Sequence, residues 1–332
     1  MRYFLLPNLL SFIGVCVIWW FYGWNGAIKT VLLILIEGIL SVDNSVVNVT
    51  TLKTMPPKYQ RAFMTWGWLI AVVGMRFIFP VGIVSATTEM NFVETIQLAF
   101  NHGEEYKDHV EGAKTVISSF GAIFMILIGI KFLLADKEVY WFEAIEKKFQ
   151  GGGGIEAVEV LVASIISFVV WVGLDGQSAR DTQIGCETGI LVFLIVTNCI
   201  GSLVNAFCKK AGLLAASGLS GFIYLEFQDA SFSFDGTIGA FAVTPLITIM
   251  LVGLGCGAGY VRAMTLYLLK EGVIDQYRYL EHGAHYAVLS LGIMMLIGIK
   301  FPVHEVVTSG VGLGIIALSV YSSIRFNRKK AL

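Results

Sequence analysis

Long apolar segments that carry few charges are the feature that most constrains the fold of this chain. Of its 332 residues, 56% are hydrophobic and only 14% are charged, whereas soluble domains carry about 25% charged residues. An apolar stretch of about 20 residues is long enough to cross a bilayer as a helix. The sequence therefore predicts an all-α polytopic membrane protein with about ten transmembrane helices.

Ten segments fit this length and composition. They are residues 3–23, 27–52, 63–86, 116–135, 157–175, 188–207, 217–243, 246–269, 284–301 and 305–324. Only VTPL separates the seventh from the eighth, so a single bent segment is the alternative. Between spans, we expect an acidic, solvated outer loop at 87–115 and, at 136–156, an interfacial helix that ends in a glycine-rich joint.

Lysine and arginine are unevenly distributed between the two sets of loops. With the N-terminus inside, most of them fall in the inner loops and in the C-terminal tail, which is the bias of cytoplasmic segments. The sequence thus predicts an inner or plasma membrane protein with both termini in the cytoplasm. Its net charge of −1 gives no basic footprint for nucleic acid, so the expected partners are membrane lipid and a metal ion.

An acidic motif inside the apolar sequence occurs twice. EGILSVDNSVVNVT at 37–50 aligns with DASFSFDGTIGAFAVT at 229–244. The alignment pairs Glu37 with Asp229, Ser41 with Ser233, and Asp43 with Asp235. The next span carries one arginine in each copy, Arg76 and Arg262, and the span after that ends in LIGIKF at 127–132 and at 296–301. Three landmarks in one order indicate a duplicated three-helix unit.

The two copies begin five spans apart, an odd number, so they cross the membrane in opposite senses. Such inverted repeats are the usual scaffold of secondary transporters, with the substrate site near the midplane. The predicted organisation is a first helix (1–26), a first repeat (27–135), a connecting loop with two helices (136–212), a second repeat (213–303), and a last helix with a basic tail (304–332).

The two motifs, together with YLEHGAHYA at 279–287, resemble the TerC-like integral membrane proteins. The resemblance is closest to a long, uncharacterised subgroup within the LysE-type transporter superfamily. It implies three-helix repeats and a link to tellurite resistance and to export of manganese or another divalent metal. The second motif has Asp235-Gly236 where the first has Asp43-Asn44, so its set of side-chain ligands is smaller.

Carboxylates within a membrane span are costly, and they commonly mark an ion pathway. We therefore predict a metal site in which oxygen ligands favour Mn²⁺, Mg²⁺ or Ca²⁺. Its candidate ligands are Asp43, Asp235, Asn44, Glu37, Asp229, Ser41 and Ser233. Arg76 and Arg262 are expected to compensate part of the charge, and each should lie near an acid of the motif helices. The alternative is that these acids pair with the arginines only to lock the bundle.

A further group of titratable residues is a candidate second metal site or proton relay. It comprises Glu226, Glu281, His282 and His285. Glu281 and His285 are four residues apart, so they share one face of a helix, while His282 points elsewhere. An exposed ion pair at a helix end is the simpler alternative for EHGAH.

These features favour a transporter that exports a divalent cation such as Mn²⁺ by alternating access. The cation is the expected substrate, and no permanently bound cofactor is expected. The sequence holds no HExxH, GxSxG or phosphate-loop motif, so we do not expect an enzyme. The alternative function is a non-transporting membrane scaffold, or a metal-sensing component, of a stress-response complex.

Overall fold

The computed structural model describes residues 2–149, 158–200, 216–303 and 305–331, and these residues form helices and no β-strand. The α-helices are α1 (Leu5–Leu40), α2 (Val42–Leu52), α3 (Pro57–Ala62), α4 (Phe79–Thr87), α5 (Phe92–Asn101), α6 (Gly103–Leu134), α7 (Glu143–Phe149), α8 (Val158–Val172), α9 (Gly176–Leu194), α10 (Ala216–Val243), α11 (Ile247–Lys270), α12 (Val273–Gln276), α13 (Leu280–Lys300) and α14 (Glu305–Ala331). Wider π-helical turns at Phe63–Gly67 and Ile70–Ile78 lie between α3 and α4, and Ile195–Ile200 extends α9.

Several of these helices can cross a membrane. Five helices of the described residues are long and apolar enough, and the bent pair Pro57–Gly67 and Ile70–Ala86 makes a sixth. Every one of the ten predicted segments overlaps a helix, but the remaining ones are shorter or more polar: α8 has 15 residues, and α10 carries three acids. The chain is an all-α, multi-pass membrane protein, as the sequence predicts.

Helix α1 covers most of the first predicted segment and the first half of the second, which continues in α2, and the two parts of α1 are separated by a break at Gly23. There the backbone has φ 66° and ψ −165°, a conformation that suits glycine because it lacks a Cβ. Along the chain, α1 contacts α11 in the order Pro7–Gly259, Gly26–Ile249 and Glu37–Gly257. Along α1, the numbers of the contacted α11 residues first fall and then rise. The two arms of α1 therefore form a helical hairpin, and both arms pack on α11.

The seventh and eighth predicted segments are separate helices. α10 ends at Val243, and α11 begins at Ile247 after a three-residue connection that contains Pro245. Asp229 of α10 then pairs with Arg262 of α11, at a similar distance along each helix from the connection. The two helices are therefore antiparallel neighbours, which excludes a single bent segment.

The corresponding helices of the two predicted repeats contact each other in opposite directions. In the second helices, Arg262 donates to the carbonyl of Gly67, and Gly255 lies against Val72. In the third helices, a Cβ at Gly129 would lie 2.6 Å from Leu289, and one at Gly292 would lie 2.7 Å from the carbonyl of Ala122. In both pairs of helices, the residue numbers of one repeat rise as those of the contacting residues in the other repeat fall. The corresponding helices are therefore antiparallel, as expected of inverted repeats.

The segment 87–115, predicted to be a solvated outer loop, is largely helical. Helix α5 covers Phe92–Asn101, and α6 begins at Gly103, before the predicted membrane span. Asn91 starts α5 with a capping box, in which its side chain accepts from the backbone of Glu94 and the Glu94 carboxylate accepts from the Asn91 backbone. These contacts satisfy the free donors of a first helical turn, while Leu98 is buried against the bundle.

The predicted interfacial helix between the repeats is present as α7. It covers Glu143–Phe149 and packs against α6. The glycines at 151–154, predicted to form a joint, lie outside the described residues. The largest apolar core surrounds α6, which also packs on α9 and α13, so the third helices of the two repeats form the centre of the bundle.

Candidate functional site

The two acidic motifs lie side by side on antiparallel helices. The carboxylate of Glu37, near the end of α1, approaches Gly236 of α10, where a Cβ would lie 3.0 Å from its Oε2. Eleven residues later, Asn48 of α2 donates from Nδ2 to Oδ1 of Asp229 at 2.8 Å. Contacts 37–236 and 48–229 run in opposite senses, so the motif helices meet as the inverted repeat predicts.

Each motif contributes one acid to a buried ion pair. Arg76 pairs with Glu37, and both side chains are almost fully buried, with 3% and 6% of their surface exposed. Arg262 pairs with Asp229 at 2.8 Å in the second copy. Since Glu37 and Asp229 are aligned positions, the two pairs are equivalent. The predicted approach of each arginine to a motif acid is confirmed.

The helix that carries Arg76 is widened by π-helical turns, which are frequent at functional sites. Arg76 lies in the turn Ile70–Ile78 and also donates from Nη1 to the carbonyl of Ala71 at 3.2 Å. The other turn, Phe63–Gly67, contacts the second ion pair, because Arg262 stacks on the Phe63 ring at 3.5 Å and donates to the Gly67 carbonyl. The same widened helix therefore supports both arginines.

Glu226 lies one turn before Asp229 on α10 and is also buried. Its Oε1 occupies the space that a Cβ at Gly67 would need. Among the described residues, neither of its carboxylate oxygens has a hydrogen-bond partner. Burying a charged carboxylate without a partner is costly, so Glu226 differs from the two acids that are held by arginines.

Asp43 and Asn44 follow an interruption of the helix at Ser41, where α1 ends and α2 begins. Asp43 accepts from the backbone N–H of Asn44 at 2.9 Å, and its Oδ2 lies close to Gly312 of α14. Asp43 thus faces a helix outside the repeats, and neither buried arginine is its ion-pair partner.

The predicted metal site stays a prediction. Asp235 lies on α10, but its side chain is outside the described residues, so its approach to Asp43 is untested. Ser41 and Ser233 are buried, and their carbonyls accept from Ser45 and Thr237 one turn later. No three His, Cys, Asp or Glu side chains of the described residues gather closely enough to hold a metal ion.

The residues of EHGAH point to three different partners. Glu281 is half exposed and pairs with Lys53 at 3.3 Å. His282 lies 3.3 Å from the buried carboxylate of Glu146. The ring of His285 stacks on Phe132 with ring centroids 3.9 Å apart. Within the described part of the chain these side chains form no common metal site, and the surface ion pair of Glu281 matches the simpler alternative.

Sequence reasoning missed two buried polar residues in this arrangement. Asn48 follows Glu37 by eleven residues, which is about three helical turns, so its place on the same face could have been found. Glu146 sits in a charged stretch, EAIEKK, where it looks solvated. In the structure it accepts from the backbone of Trp141 and Phe142 and from the Tyr286 hydroxyl.

Comparison with known proteins identifies relatives of unassigned function. The chain is 25% identical over 226 residues to the uncharacterized membrane protein YceF of Bacillus subtilis (strain 168), an alignment that covers 65% of this chain and 79% of that protein. No solved structure matches the chain.

A family model described as "Protein of unknown function (DUF475)" matches residues 42–330. This family differs from the TerC-like and LysE-type families, so the resemblance to them is wrong, and the tellurite link it implied loses its basis. That resemblance depended on three short stretches, whereas the matching family model covers most of the chain. The chain belongs to the DUF475 family.

Proposed function

We propose that this protein is a secondary transporter that moves a divalent cation across the membrane. The observation that carries the proposal is the meeting of the two inverted acidic motifs in one buried layer, through the contacts Glu37–Gly236 and Asn48–Asp229. Substrate sites of inverted-repeat transporters lie where the repeats meet. Charged groups inside a membrane protein commonly mark such pathways.

The charges of this layer favour a cation as the substrate. The buried acids outnumber the buried arginines: the acids are Glu37, Asp43, Glu226 and Asp229, and the arginines are Arg76 and Arg262. Glu37 and Asp229 are each paired with an arginine, which leaves Asp43 and Glu226 without a basic partner among the described residues. A divalent cation or protons would neutralise this excess.

The chemistry of the free groups favours a hard cation. Asp43, Asn44 and Asp235 carry side-chain oxygen donors. Carboxylate and carbonyl oxygens suit Mn²⁺, Mg²⁺ and Ca²⁺ better than thiophilic metals. We propose Asp43 and Asp235 as the acids that contact the cation, with the arginine-paired acids as their support.

The proposal includes the orientation of the protein in the membrane and the direction in which it moves the cation. The basic C-terminal tail and inner loops favour cytoplasmic termini, and export is the direction we propose.

A scaffold function is the second candidate. It is favoured by the ion pairs themselves, because Glu37 and Asp229 are already satisfied by arginines, as expected of groups that only lock the bundle. A scaffold would tolerate neutral replacements of the unpaired acids, whereas a transporter would not.

The decisive experiment measures divalent-cation flux into inverted membrane vesicles. Wild type, Asp43→Asn and Asp235→Asn are compared at equal membrane abundance with Mn²⁺, Mg²⁺, Ca²⁺, Zn²⁺ and Co²⁺. The control is Asp275→Asn, since the Asp275 side chain is 79% exposed. Transport predicts flux in wild type and control and its loss in the two site variants. Flux that persists in both variants, or no flux of any cation in wild type, would favour the scaffold.

A further inference from the structure

Glu226 is a buried acid that cation binding alone does not explain. Its residue is 7% exposed, and both carboxylate oxygens lack a hydrogen-bond partner among the described residues. Gly67 leaves room for it, because a Cβ at that position would overlap Oε1. The aligned position in the first repeat is Ile34, so the acid is present in one repeat only. A cavity-filling residue would be apolar here, as Ile34 is.

Arg262, close to Glu226, also has unused hydrogen-bonding capacity. Its Nη2 donates to Asp229 at 2.8 Å and to the Gly67 carbonyl at 3.2 Å, while Nη1 has no partner among the described residues. Glu226 and Asp229 are three residues apart on α10, so they present neighbouring positions on one face. Both Arg262 and Glu226 touch Gly67. One guanidinium therefore lies near two carboxylates and is bound to one of them.

Of the two carboxylates Glu226 and Asp229, only the one that is bound to Arg262 can be ionised at a low energetic cost. The charged groups acting on Glu226 are Arg262 of α11 and Asp229 of its own helix. Among the described residues, the contacts of these three charges with other elements involve uncharged groups: Gly67 lies against Glu226, Phe63 against Arg262, and Asn48 against Asp229. While Arg262 is bound to Asp229, an ionised Glu226 would be a second negative charge without a partner, which is strongly disfavoured in a low-dielectric interior.

We propose that Glu226 carries the proton that is exchanged for the transported cation, and that Arg262 controls its release by changing partners. Glu226 is neutral while Arg262 holds Asp229. When a cation enters the acidic layer, its charge replaces Arg262 as the counter-charge of Asp229, and Arg262 turns to Glu226. The O–H bond of Glu226 breaks, both electrons stay on the carboxylate, and the proton passes to water. No group is oxidised or reduced. This mechanism depends on the proposed transport function.

The test uses the purified full-length protein in liposomes, with Mn²⁺ as the probe and a pH-sensitive dye in the lumen. Two processes are measured: net Mn²⁺ uptake coupled to proton movement, and Mn²⁺–Mn²⁺ exchange, which needs no net proton transfer. In Glu226→Gln, we expect proton movement and pH-driven uptake to fall to the level of protein-free liposomes while exchange persists. Glu226→Asp should restore part of the coupling, and the exposed-site control Asp275→Asn should behave as wild type.

An infrared measurement tests the proton directly and without transport. At neutral pH, wild type should show a carbonyl band of a protonated carboxyl group that Glu226→Gln lacks, and Mn²⁺ should remove that band. Proton movement per Mn²⁺ that is unchanged in Glu226→Gln, loss of Mn²⁺ exchange in that variant, or the absence of the band in wild type would each overturn the proposal. No Mn²⁺ movement of either kind in wild type would refute the transport function, and with it this mechanism.

Discussion

Replacing Arg76 by methionine removes one half of a buried ion pair and leaves the other half in place. The Glu37 carboxylate is 6% exposed, and Arg76 is its ion-pair partner. Breaking a buried pair in this way costs about 3–5 kcal/mol, because an uncompensated charge stays in the interior. Arg76→Met should therefore be far more destabilising than a typical substitution of about 1 kcal/mol.

The double variant Arg76→Met/Glu37→Gln separates lost charge from lost packing. A neutral glutamine no longer needs a cation, so the double variant should be more stable than Arg76→Met alone. Contacting residues show interaction energies of about 0.5–3 kcal/mol in such cycles, and we expect the upper end of that range here because both side chains are buried.

Reversible unfolding by SDS in mixed micelles, followed by circular dichroism, gives the four free energies of the cycle. Arg61→Met is the matched control, since Arg61 lies on the exposed face of α3 and should stay within about 0.5 kcal/mol of wild type. The reasoning fails if Arg76→Met unfolds at the wild-type midpoint, or if the effects of the two single variants simply add in the double variant.

Three further predictions concern packing, a buried acceptor and pH. Gly185→Ala should destabilise the fold by about 1–3 kcal/mol, because a Cβ there would lie 2.4 Å from the carbonyl oxygen of Val116, whereas Gly82→Ala, which meets no atom within 4 Å, should be neutral in the same unfolding assay. Glu146→Ala leaves two backbone donors without an acceptor, so limited proteolysis should cleave the 137–149 segment faster. Burial lowers the pKa of Lys137 from its usual value of 10.5, so the unfolded state binds more protons than the folded state just below pH 10.5. The free energy of unfolding should therefore rise with pH in that range. The thermal unfolding midpoint of Lys137→Met, measured across the same range, should lack this rise.

The sequence contained enough information to predict the helical architecture and the pairing of the charges. Apolar length located ten segments that each overlap a helix, although only five or six of the described helices are long and apolar enough to span a membrane, and the order of motif, arginine and LIGIKF predicted inverted repeats whose helices do contact each other in opposite senses. The approach of each arginine to an acid of the motif helices followed from the cost of an isolated charge in a membrane. These predictions succeed because burial in a membrane requires apolar residues over a span and paired charges within it, and both requirements can be read from residue types and their spacing.

Features that depend on three-dimensional neighbours could not be predicted. Helix α5 was assigned to a loop because its acids looked solvated, although Asn91 and Glu94 form a capping box. Glu146 lies in a charged segment, yet the packing of α7 against α13 buries it. Family membership also failed, since three short stretches say little about the rest of a chain. The contacts of Glu146 join residues that are distant in the sequence, whereas the Asn91–Glu94 capping box is a local pattern that could have been recognised.

If the buried acidic layer conducts a cation, divalent-cation flux must depend on the carboxylates of Asp43 and Asp235. Mn²⁺ uptake into inverted vesicles should be clear in wild type and in Asp275→Asn, and should fall to the level of empty vesicles in Asp43→Asn and Asp235→Asn at equal abundance. Divalent-cation uptake that both site variants retain in full would contradict the account.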